Sequence, residues 1–449
     1  MSIRLNITPS LGVVAALRFL PSSHFAMTPL TETPARVPLK ALDAALAELL
    51  AHAHRLPGAE SVSTFDADGR VLAQDLTASL NVPANDNSAM DGYAVRVADC
   101  VDRETALQVS QRIPAGISAS GLQPLASFSA ARIFTGAPIP PGADAVVMQE
   151  DCTAIEGDNS VTGTRVLVRV APPPGQHIRR RGEDVAAGDV VLRAGTRLGP
   201  ASLGLAASIG FDQLQVARRV RVALFSTGDE LVMPGEVLPQ DMLPGAIYNS
   251  NRFFLRTLLQ RLGCEVTDMG IVPDRLDATI EALKTASTGH DLILTSGGVS
   301  VGEEDHIKPA VRALGELNLW QIAMKPGKPF AYGTVNAAHF IGLPGNPVSS
   351  FVTFLLLVRP FILSLQGVTD VAIQSIAATA HFDWARADKR REFLRVRQNA
   401  AGGLDLFENQ SSGVLTSAVW GNGLLDNPPG RAIAMGDTVQ FIPFSALLC

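Results

Sequence analysis

From Val220 onward the chain alternates apolar, strand-like runs with segments of helical spacing. The order is strand 220–225, helix 253–262, strand 264–272, helix 276–286 and strand 291–295, followed by an apolar helix over 348–365. Parallel neighbours in a sheet need a crossover of a dozen or more residues, which these helices supply. The pattern therefore predicts a three-layer α/β domain with a parallel sheet. Ligands of such sheets bind at the carboxyl ends of the strands.

The rest of the chain predicts additional domains, because 449 residues are enough for about three. We predict an extension over 1–27, disordered or an over-long gene start, and a β-rich region of two subdomains over 28–217. The α/β domain covers 218–367, and a small all-β, barrel-like domain covers 368–449. The β-rich region begins with an amphipathic helix over 39–54 and continues with short strands between Pro and Gly turns.

Composition excludes several classes of function. The net charge is −6 without a long Lys/Arg block, which argues against nucleic-acid binding. No apolar segment is expected to reach the roughly 18 residues of a membrane span, so we predict no membrane association. The four cysteines lack the spacing of a zinc site or a disulfide framework, and we expect a reducing, cytoplasmic location.

Two glycine-containing turns follow strands of the predicted sheet. One is Ser226–Glu230 and the other is Thr295–Gly302. Backbone amides at such turns bind oxyanions, and glycine allows close approach of a ligand. The candidate ligand-binding residues are Thr227, Gly228, Ser296, Gly297, Gly298 and Ser300. A simple strand-to-helix turn is the alternative for either turn taken alone.

Carboxylates cluster around the same turns, at Asp229, Glu230, Asp274 and the run Glu303–Asp305. Carboxylates repel a phosphate unless a cation intervenes, so the pattern favours Mg²⁺ held by oxygen ligands. Any of these side chains is a candidate metal ligand, and the family resemblance described below narrows the set to Glu230, Asp274 and Asp305. In the alternative interpretation these acids are helix N-terminal charges, which the helix dipole favours.

Two proline-stiffened loops complete the predicted site. Lys325-Pro326-Gly327-Lys328-Pro329 presents two ammonium groups that could hold an oxyanion, although surface lysines are usually solvated. Gly342–Pro347 precedes the long apolar helix, with Asn346 as a cap and Pro347 at the first helical position.

The β-rich region contains three polar loops of unusual composition. They are Asp86–Ala94, Arg132–Ala137 and Arg179–Asp184. Ordinary turns rarely combine apolar Met and Tyr residues with so many polar groups, as the first loop does. For the three arginines of the third loop, a solvated charge run is the alternative.

Together these motifs resemble one family in order and spacing. The chain is similar to the molybdopterin molybdenumtransferases, the molybdenum insertases that include the gephyrin E domain, over nearly all residues after Met27. The motifs are 86–94, 135–137, 182–184, 226–231, 296–302, 325–329 and 343–349. The resemblance implies a MogA-like sheet domain and Mg²⁺-dependent insertion of molybdenum from molybdate into adenylylated molybdopterin, with release of AMP.

The resemblance also implies functional residues and partners. The functional positions fall on Asp91, Thr135, Asp184, Glu230, Asp274, Asp305, Lys325, Pro344 and Pro347, with Arg391 and Ser412 in the end domain. The implied assembly is a homodimer whose site is shared between subunits. A molybdopterin adenylyltransferase and molybdoenzyme maturation factors are the expected partners.

One departure from the family concerns molybdate. Close relatives often have a basic residue four positions before the lysine of the Pro-Gly loop, and here that residue is Gln321. Lys328 or Arg391 would then supply the missing charge.

Two other functions remain open at this point. The chain could adenylylate molybdopterin itself, because both activities use the sheet domain, or it could be a non-catalytic scaffold of the gephyrin type. The loops around Asp91 and Thr135 disfavour the first alternative, and the intact carboxylates with Lys325 disfavour the second.

Overall fold

The computed structural model describes residues 39–102, 104–155, 164–298 and 306–448. The extension predicted over 1–27 lies outside these ranges. Ser300 and Asp305 of the predicted site also lie outside them, as do Glu303 and Glu304.

The α/β domain is built on a six-stranded sheet at the predicted position. From edge to edge the strands are Glu265–Val272, Arg221–Thr227, Leu292–Ser296, Ala338–Leu343, Pro329–Val335 and Gly315–Gln321. The first four run parallel, as predicted, and the last two pair antiparallel. The strand Pro329–Val335 is antiparallel to Ala338–Leu343 because only two residues connect them, and so short a loop can only join antiparallel strands.

Helices cover both faces of this sheet. Helices Ser250–Arg261 and Leu42–Ala51 share one hydrophobic core with the long helix that begins at Pro347. Helices Leu276–Ser287 and Ile307–Leu314 pack on the opposite face. The three predicted layers are therefore present, and the first helix of the β-rich region belongs to the core of the α/β domain.

The long apolar helix corrects one prediction. Its α-helical parts are Pro347–Thr353 and Arg359–Leu365, with a π-helical segment Phe354–Val358 between them. Pro360 has no N–H for the carbonyl one turn earlier, which accounts for the wider turn. The prediction that no apolar segment reaches membrane-span length was wrong, since this 19-residue helix has a mean hydropathy of 2.0. However, 83% of its most apolar 18-residue window is buried inside the protein, as in a core helix.

The described part of the β-rich region contains one large sheet and three strand pairs. The six-stranded sheet has the order Ala145–Met148, Gly92–Val95, Ser129–Ile133, Thr105–Ile113, Arg165–Val168 and Cys152–Ile155. The pairs are Ala59–Ser63 with Gln213–Ala217, Leu76–Thr77 with Val190–Leu192, and Asn87–Ser88 with Ile178–Arg179. Helix Pro200–Ser208 packs with the first two pairs in a core separate from that of the large sheet.

Five strands near the C-terminus close into a barrel. Their order is Arg391–Gln398, Gly403–Leu406, Ile376–Ala380, Thr438–Pro443 and Gly423–Asn427, and the last strand pairs with the first. Closure removes the exposed edges of the sheet. Two short helices, Thr416–Trp420 and Phe444–Leu448, belong to this region, so it is not all β.

Two short parallel ladders involve segments of the α/β domain outside its six-stranded sheet. Met324–Lys325 pairs in parallel with the first residues of the barrel strand Arg391–Gln398. Leu231–Val232 pairs in parallel with Ile247–Tyr248, which closes the segment between the first glycine turn and helix Ser250–Arg261. The lysine loop is therefore bound to the barrel by backbone hydrogen bonds.

Candidate functional site

A cleft of about 690 Å³ lies at the carboxyl ends of the parallel strands. It brings together nine residues predicted from the sequence: Thr227, Gly228, Glu230, Asp274, Ser296, Gly297, Gly298, Pro344 and Pro347. Parallel strands place their carboxyl ends on one edge of the sheet, which explains how residues so distant in sequence come together.

Glycine is required at both turns of the cleft. Gly228 has φ +143°, and a Cβ atom there would lie 2.5 Å from Oε2 of Glu230, so the carboxylate folds back over the turn. Gly297 has φ +94°, and its Cβ atom would lie 2.9 Å from the carbonyl oxygen of Thr227. A side chain at Gly297 would push the two turns apart. At Gly228 the positive φ is the main obstacle, because the Glu230 carboxylate is flexible and could move aside.

Two carboxylates, Glu230 and Asp274, line the cleft. Asp229 accepts a hydrogen bond of 3.2 Å from the backbone N–H of Asp274, which ties together the turns that carry them. Within the described ranges no group of three His, Cys, Asp or Glu side chains is placed to hold a metal ion. The donors present are nevertheless oxygen atoms, and one or two carboxylates with water are the usual Mg²⁺ ligands. The residues therefore fit Mg²⁺, with Asp305 outside the described residues.

Amide and hydroxyl side chains form much of the remaining wall. Nδ2 of Asn251 donates to the carbonyl oxygen of Gly345 at 2.7 Å and to Oγ of Ser296 at 3.3 Å, linking the second glycine turn to the Pro344–Pro347 loop. Oδ1 of Asn249 accepts the N–H of Arg252 at 3.2 Å and caps helix Ser250–Arg261. These asparagines were not among the site residues predicted from the sequence, because their position in the cleft depends on tertiary contacts.

The two predicted lysines differ in their surroundings. Nζ of Lys325 lies 3.1 Å from Oε1 of Glu392 and 3.3 Å from Oδ2 of Asp388, so it is neutralised by the end domain. Lys328 is exposed, and no carboxylate among the described residues forms an ion pair with it. Its neighbour Pro329 lines the cleft. Of the two lysines, Lys328 has the charge available for a ligand.

Arg391 is committed to a structural role. Its guanidinium forms two hydrogen bonds with Asp426, at 2.7 and 2.5 Å, and a third with Asp43 at 2.8 Å. The hydrogen bonds that Arg391 donates to Asp426 raise the pKa of this arginine. The interpretation of Arg391 as the additional molybdate-binding cation is not supported by this geometry, because two carboxylates already balance its charge.

Ser412 lies next to the cleft, where its carbonyl oxygen accepts the N–H of Val348 at 2.9 Å. Gly413 lines the cleft itself. Behind this loop is Arg395, 1% exposed, whose guanidinium donates to Oγ of Ser417 at 3.1 Å and to the carbonyl oxygen of Ser411 at 3.3 Å. Burial lowers the pKa of Arg395 to about 10. The sequence analysis did not single out this buried cation. The available signal was that Arg395 lies two positions after the buried Phe393, so both side chains are on the same face of the strand.

Asp91 and Thr135 are brought together in the β-rich region. Oδ1 of Asp91 accepts both the backbone N–H of Thr135, at 2.7 Å, and its hydroxyl, at 2.8 Å. These hydrogen bonds lower the pKa of Asp91, which is fully exposed. Pairing of Gly92 with Ile133 in adjacent strands places the two residues side by side.

Asp184 is also exposed, in the loop that follows the strand Ile178–Arg179. An ion pair of 2.7 Å between Arg180 and Asp86 joins this loop to the one carrying Asp91. Asp91, Thr135 and Asp184 are not among the residues that line the cleft in the described part of this chain. The single chain therefore presents two groups of predicted residues, one in the cleft and one on the β-rich region.

The fold and the cleft define a class: multidomain α/β proteins with a polar cleft at the edge of a mostly parallel sheet and a closed β barrel near the C-terminal end. Residues 40–210 match the family described as MoeA N-terminal region (domain I and II). Residues 223–364 match a family described as probable molybdopterin binding domain, and residues 377–444 match MoeA C-terminal region (domain IV). The chain belongs to the MoeA family.

Individual relatives agree with this assignment. The chain is 42% identical to the molybdopterin molybdenumtransferase of Haemophilus influenzae, over 87% of this chain and 95% of the relative. It is 37% identical to the enzyme of the same name from Nostoc sp., over 83% and 85%. The molybdopterin biosynthesis MoeA protein of Pyrococcus horikoshii OT3 superposes with a TM-score of 0.76 at 28% identity, over 90% of this chain and all of that one. The predicted family, fold class and transferase activity are confirmed.

Proposed function

We propose that this protein inserts molybdenum from molybdate into the dithiolene of adenylylated molybdopterin and releases AMP, in a Mg²⁺-dependent reaction of molybdenum cofactor biosynthesis. The observation that carries the proposal is the cleft between two glycine turns, in a chain 42% identical to a molybdopterin molybdenumtransferase. A phosphoanhydride and a molybdate dianion repel each other, so a site that unites them must supply compensating positive charge.

The turns and the carboxylates have separate tasks in this reaction. Backbone amides around Gly228 and Gly297 bind phosphate oxygens of the substrate, because glycine leaves them accessible. Glu230 and Asp274 would hold Mg²⁺, which supplies positive charge to the anhydride oxygens when it is bound. Asp229 keeps the Asp274 turn in place through its backbone hydrogen bond.

Lys328 provides the positive charge for molybdate in the proposed site. Gln321, which replaces the second basic residue of close relatives, forms the end of the edge strand opposite Pro329. Lys328 lies beside that proline and is exposed. Lys325 and Arg391 already have carboxylate partners, and they would position the loop and the barrel.

The exposed residues of the β-rich region complete the site from a second copy of the chain. Asp91, Thr135 and Asp184 are all exposed, and the first two form a hydrogen-bonded pair. They reach the nucleotide or pterin portion of a substrate bound in the partner's cleft. In this scheme a molybdopterin adenylyltransferase supplies the substrate, molybdoenzyme maturation factors receive the product, and the reaction takes place in the cytoplasm.

The two alternative functions use less of the molecule. Adenylylation of molybdopterin would need only the sheet domain, whereas matches to MoeA regions extend over 40–210 and 377–444 as well. A scaffold would need no paired carboxylates in the cleft, where Glu230 and Asp274 both lie. Insertion of molybdenum accounts for all three regions.

A reconstitution assay tests the proposal. Purified protein is incubated with adenylylated molybdopterin, molybdate, Mg²⁺ and an apo-molybdoenzyme. We expect active molybdoenzyme, with loss of activity when the protein is omitted. If the protein instead consumes ATP with molybdopterin in the absence of molybdate, adenylylation is its function. If neither reaction occurs, the scaffold interpretation is favoured.

A further inference from the structure

Asn249 leaves a buried polar atom unpaired in the wall of the cleft. The residue lines the cleft and is 2% exposed. Its Oδ1 accepts the N–H of Arg252, which fixes the orientation of the amide. Nδ2 is buried, and among the described residues no atom accepts a hydrogen bond from it.

Capping the helix does not account for this amide donor. A cap needs only an oxygen atom, and Ser or Asp at this position serves as well as Asn. A buried N–H group without an acceptor is unfavourable, and such groups are rare in folded proteins. The donor is therefore explained best by an acceptor that arrives with a ligand.

The surroundings indicate that this acceptor is anionic. Helix Ser250–Arg261 and the helix beginning at Pro347 both start in the wall of the cleft. The N-terminus of a helix carries partial positive charge and unpaired N–H groups, which together favour an oxyanion. Ser350 in the first turn of the second helix is fully buried, and its hydroxyl also lacks a partner within the described ranges.

We infer that Asn249 is a substrate-binding residue whose Nδ2 donates to a phosphate oxygen of the adenylylated substrate, at the cleft wall where two helices begin. The inference rests on the proposed function, because that function supplies the phosphate. It adds a neutral donor to the site, beside the glycine turns and the carboxylates. It also predicts that a change at Asn249 affects phosphate binding while the helix cap is retained.

Two variants distinguish the loss of the amide donor from the loss of the helix cap and from the introduction of a charge. Asn249→Ser retains a cap oxygen and adds no charge, but it removes the donor at the Nδ2 position. Asn249→Asp also retains the cap and places a negative charge there. Asn336→Asp, in the exposed hairpin outside the cleft, is the matched control for the change in net charge.

The experiment measures AMP and adenosine binding by calorimetry in the presence of Mg²⁺, with the Tm of each variant. We expect Asn249→Ser to weaken AMP binding about 10-fold and Asn249→Asp to weaken it more, with adenosine binding and Tm unchanged. Asn336→Asp should bind AMP like the wild type.

Wild-type AMP affinity in Asn249→Ser would overturn the inference even if Asn249→Asp binds poorly, since repulsion alone would then explain the aspartate variant. Equal weakening of AMP and adenosine binding would also overturn it, because the lost contact would not be to phosphate. Either result would leave the proposed function intact. A wild-type protein that binds no AMP would contradict the proposed function itself, and the inference with it.

Discussion

The ammonium nitrogen of Lys325 lies 3.1 Å from Oε1 of Glu392, a side chain that is 1% exposed. Nε1 of Trp384 donates to the other oxygen of the same carboxylate at 2.9 Å. The contact joins a loop of the sheet domain to the barrel, next to the ladder between Met324–Lys325 and Arg391–Glu392. The position of the lysine loop beside the cleft therefore depends on the barrel.

Removal of the charge of Glu392 should destabilise this junction. Glu392→Gln leaves Lys325 without its buried partner, but the lysine is 39% exposed and water compensates part of the loss. We expect Tm to fall by about 2–5 °C in differential scanning calorimetry. Glu408→Gln, on the exposed surface of the same domain, is the control and should leave Tm unchanged. Equal Tm values for both variants would show that the ion pair does not stabilise the fold.

The two carboxylates of the cleft should determine the Mg²⁺ requirement. Glu230→Gln and Asp274→Asn each remove one negative oxygen ligand, so we expect the Mg²⁺ concentration for half-maximal activity to rise by about 10-fold or more. Asp277→Asn lies on the exposed first turn of the next helix and serves as the control. The assignment is wrong if all three variants give the same Mg²⁺ titration curve as the wild type.

Lys328 and Arg391 should respond differently to substitution. Lys328→Gln removes an exposed charge near the cleft, and we expect a higher KM for molybdate, by about 10-fold, without a change in Tm. Arg391→Gln breaks the ion pairs with Asp426 and Asp43, and we expect a lower Tm. Steady-state kinetics and calorimetry on the two purified variants measure both effects. A normal molybdate KM in Lys328→Gln would show that another group holds the anion.

A shared site should allow complementation between two inactive variants. The assay uses a Mg²⁺ concentration that saturates the wild type but leaves Glu230→Gln inactive. Under this condition Asp91→Asn lacks the β-rich contribution and Glu230→Gln lacks a functional cleft. Subunits mixed by reversible dissociation would form heterodimers with one intact site and one doubly altered site. We expect activity to recover to about one quarter of wild type, since half of the dimers would be mixed and each would have one intact site. No recovery, despite mixed dimers detected by mass spectrometry, would place both residues in the site of one chain.

Local patterns in the sequence predicted the architecture of the sheet domain. Helical and strand periodicity placed the strand Arg221–Thr227 and the helix Leu276–Ser287 within two residues of their observed ends. The glycine turns could be predicted equally well, because few residues other than glycine adopt the positive φ found at Gly297. Their meeting at one edge followed from the rule for parallel strands.

Contacts between distant residues could not be predicted in the same way. Arg391 was interpreted as a ligand-binding cation, yet it pairs with Asp43, which is 348 positions away in the sequence. The unpaired donor of Asn249 likewise depends on how the helix caps pack in the folded chain. Periodicity describes a single element and contains no information about which side chains of other elements neutralise its charges.

Molybdenum insertion and AMP release are coupled in the proposed reaction, and one assay tests this coupling directly. Adenylylated molybdopterin is incubated with the protein and Mg²⁺, with and without molybdate, and free AMP is followed over time. We predict that AMP release depends on molybdate and that each AMP released corresponds to one molybdenum atom inserted. AMP released at the same rate without molybdate would show that the two steps are not coupled.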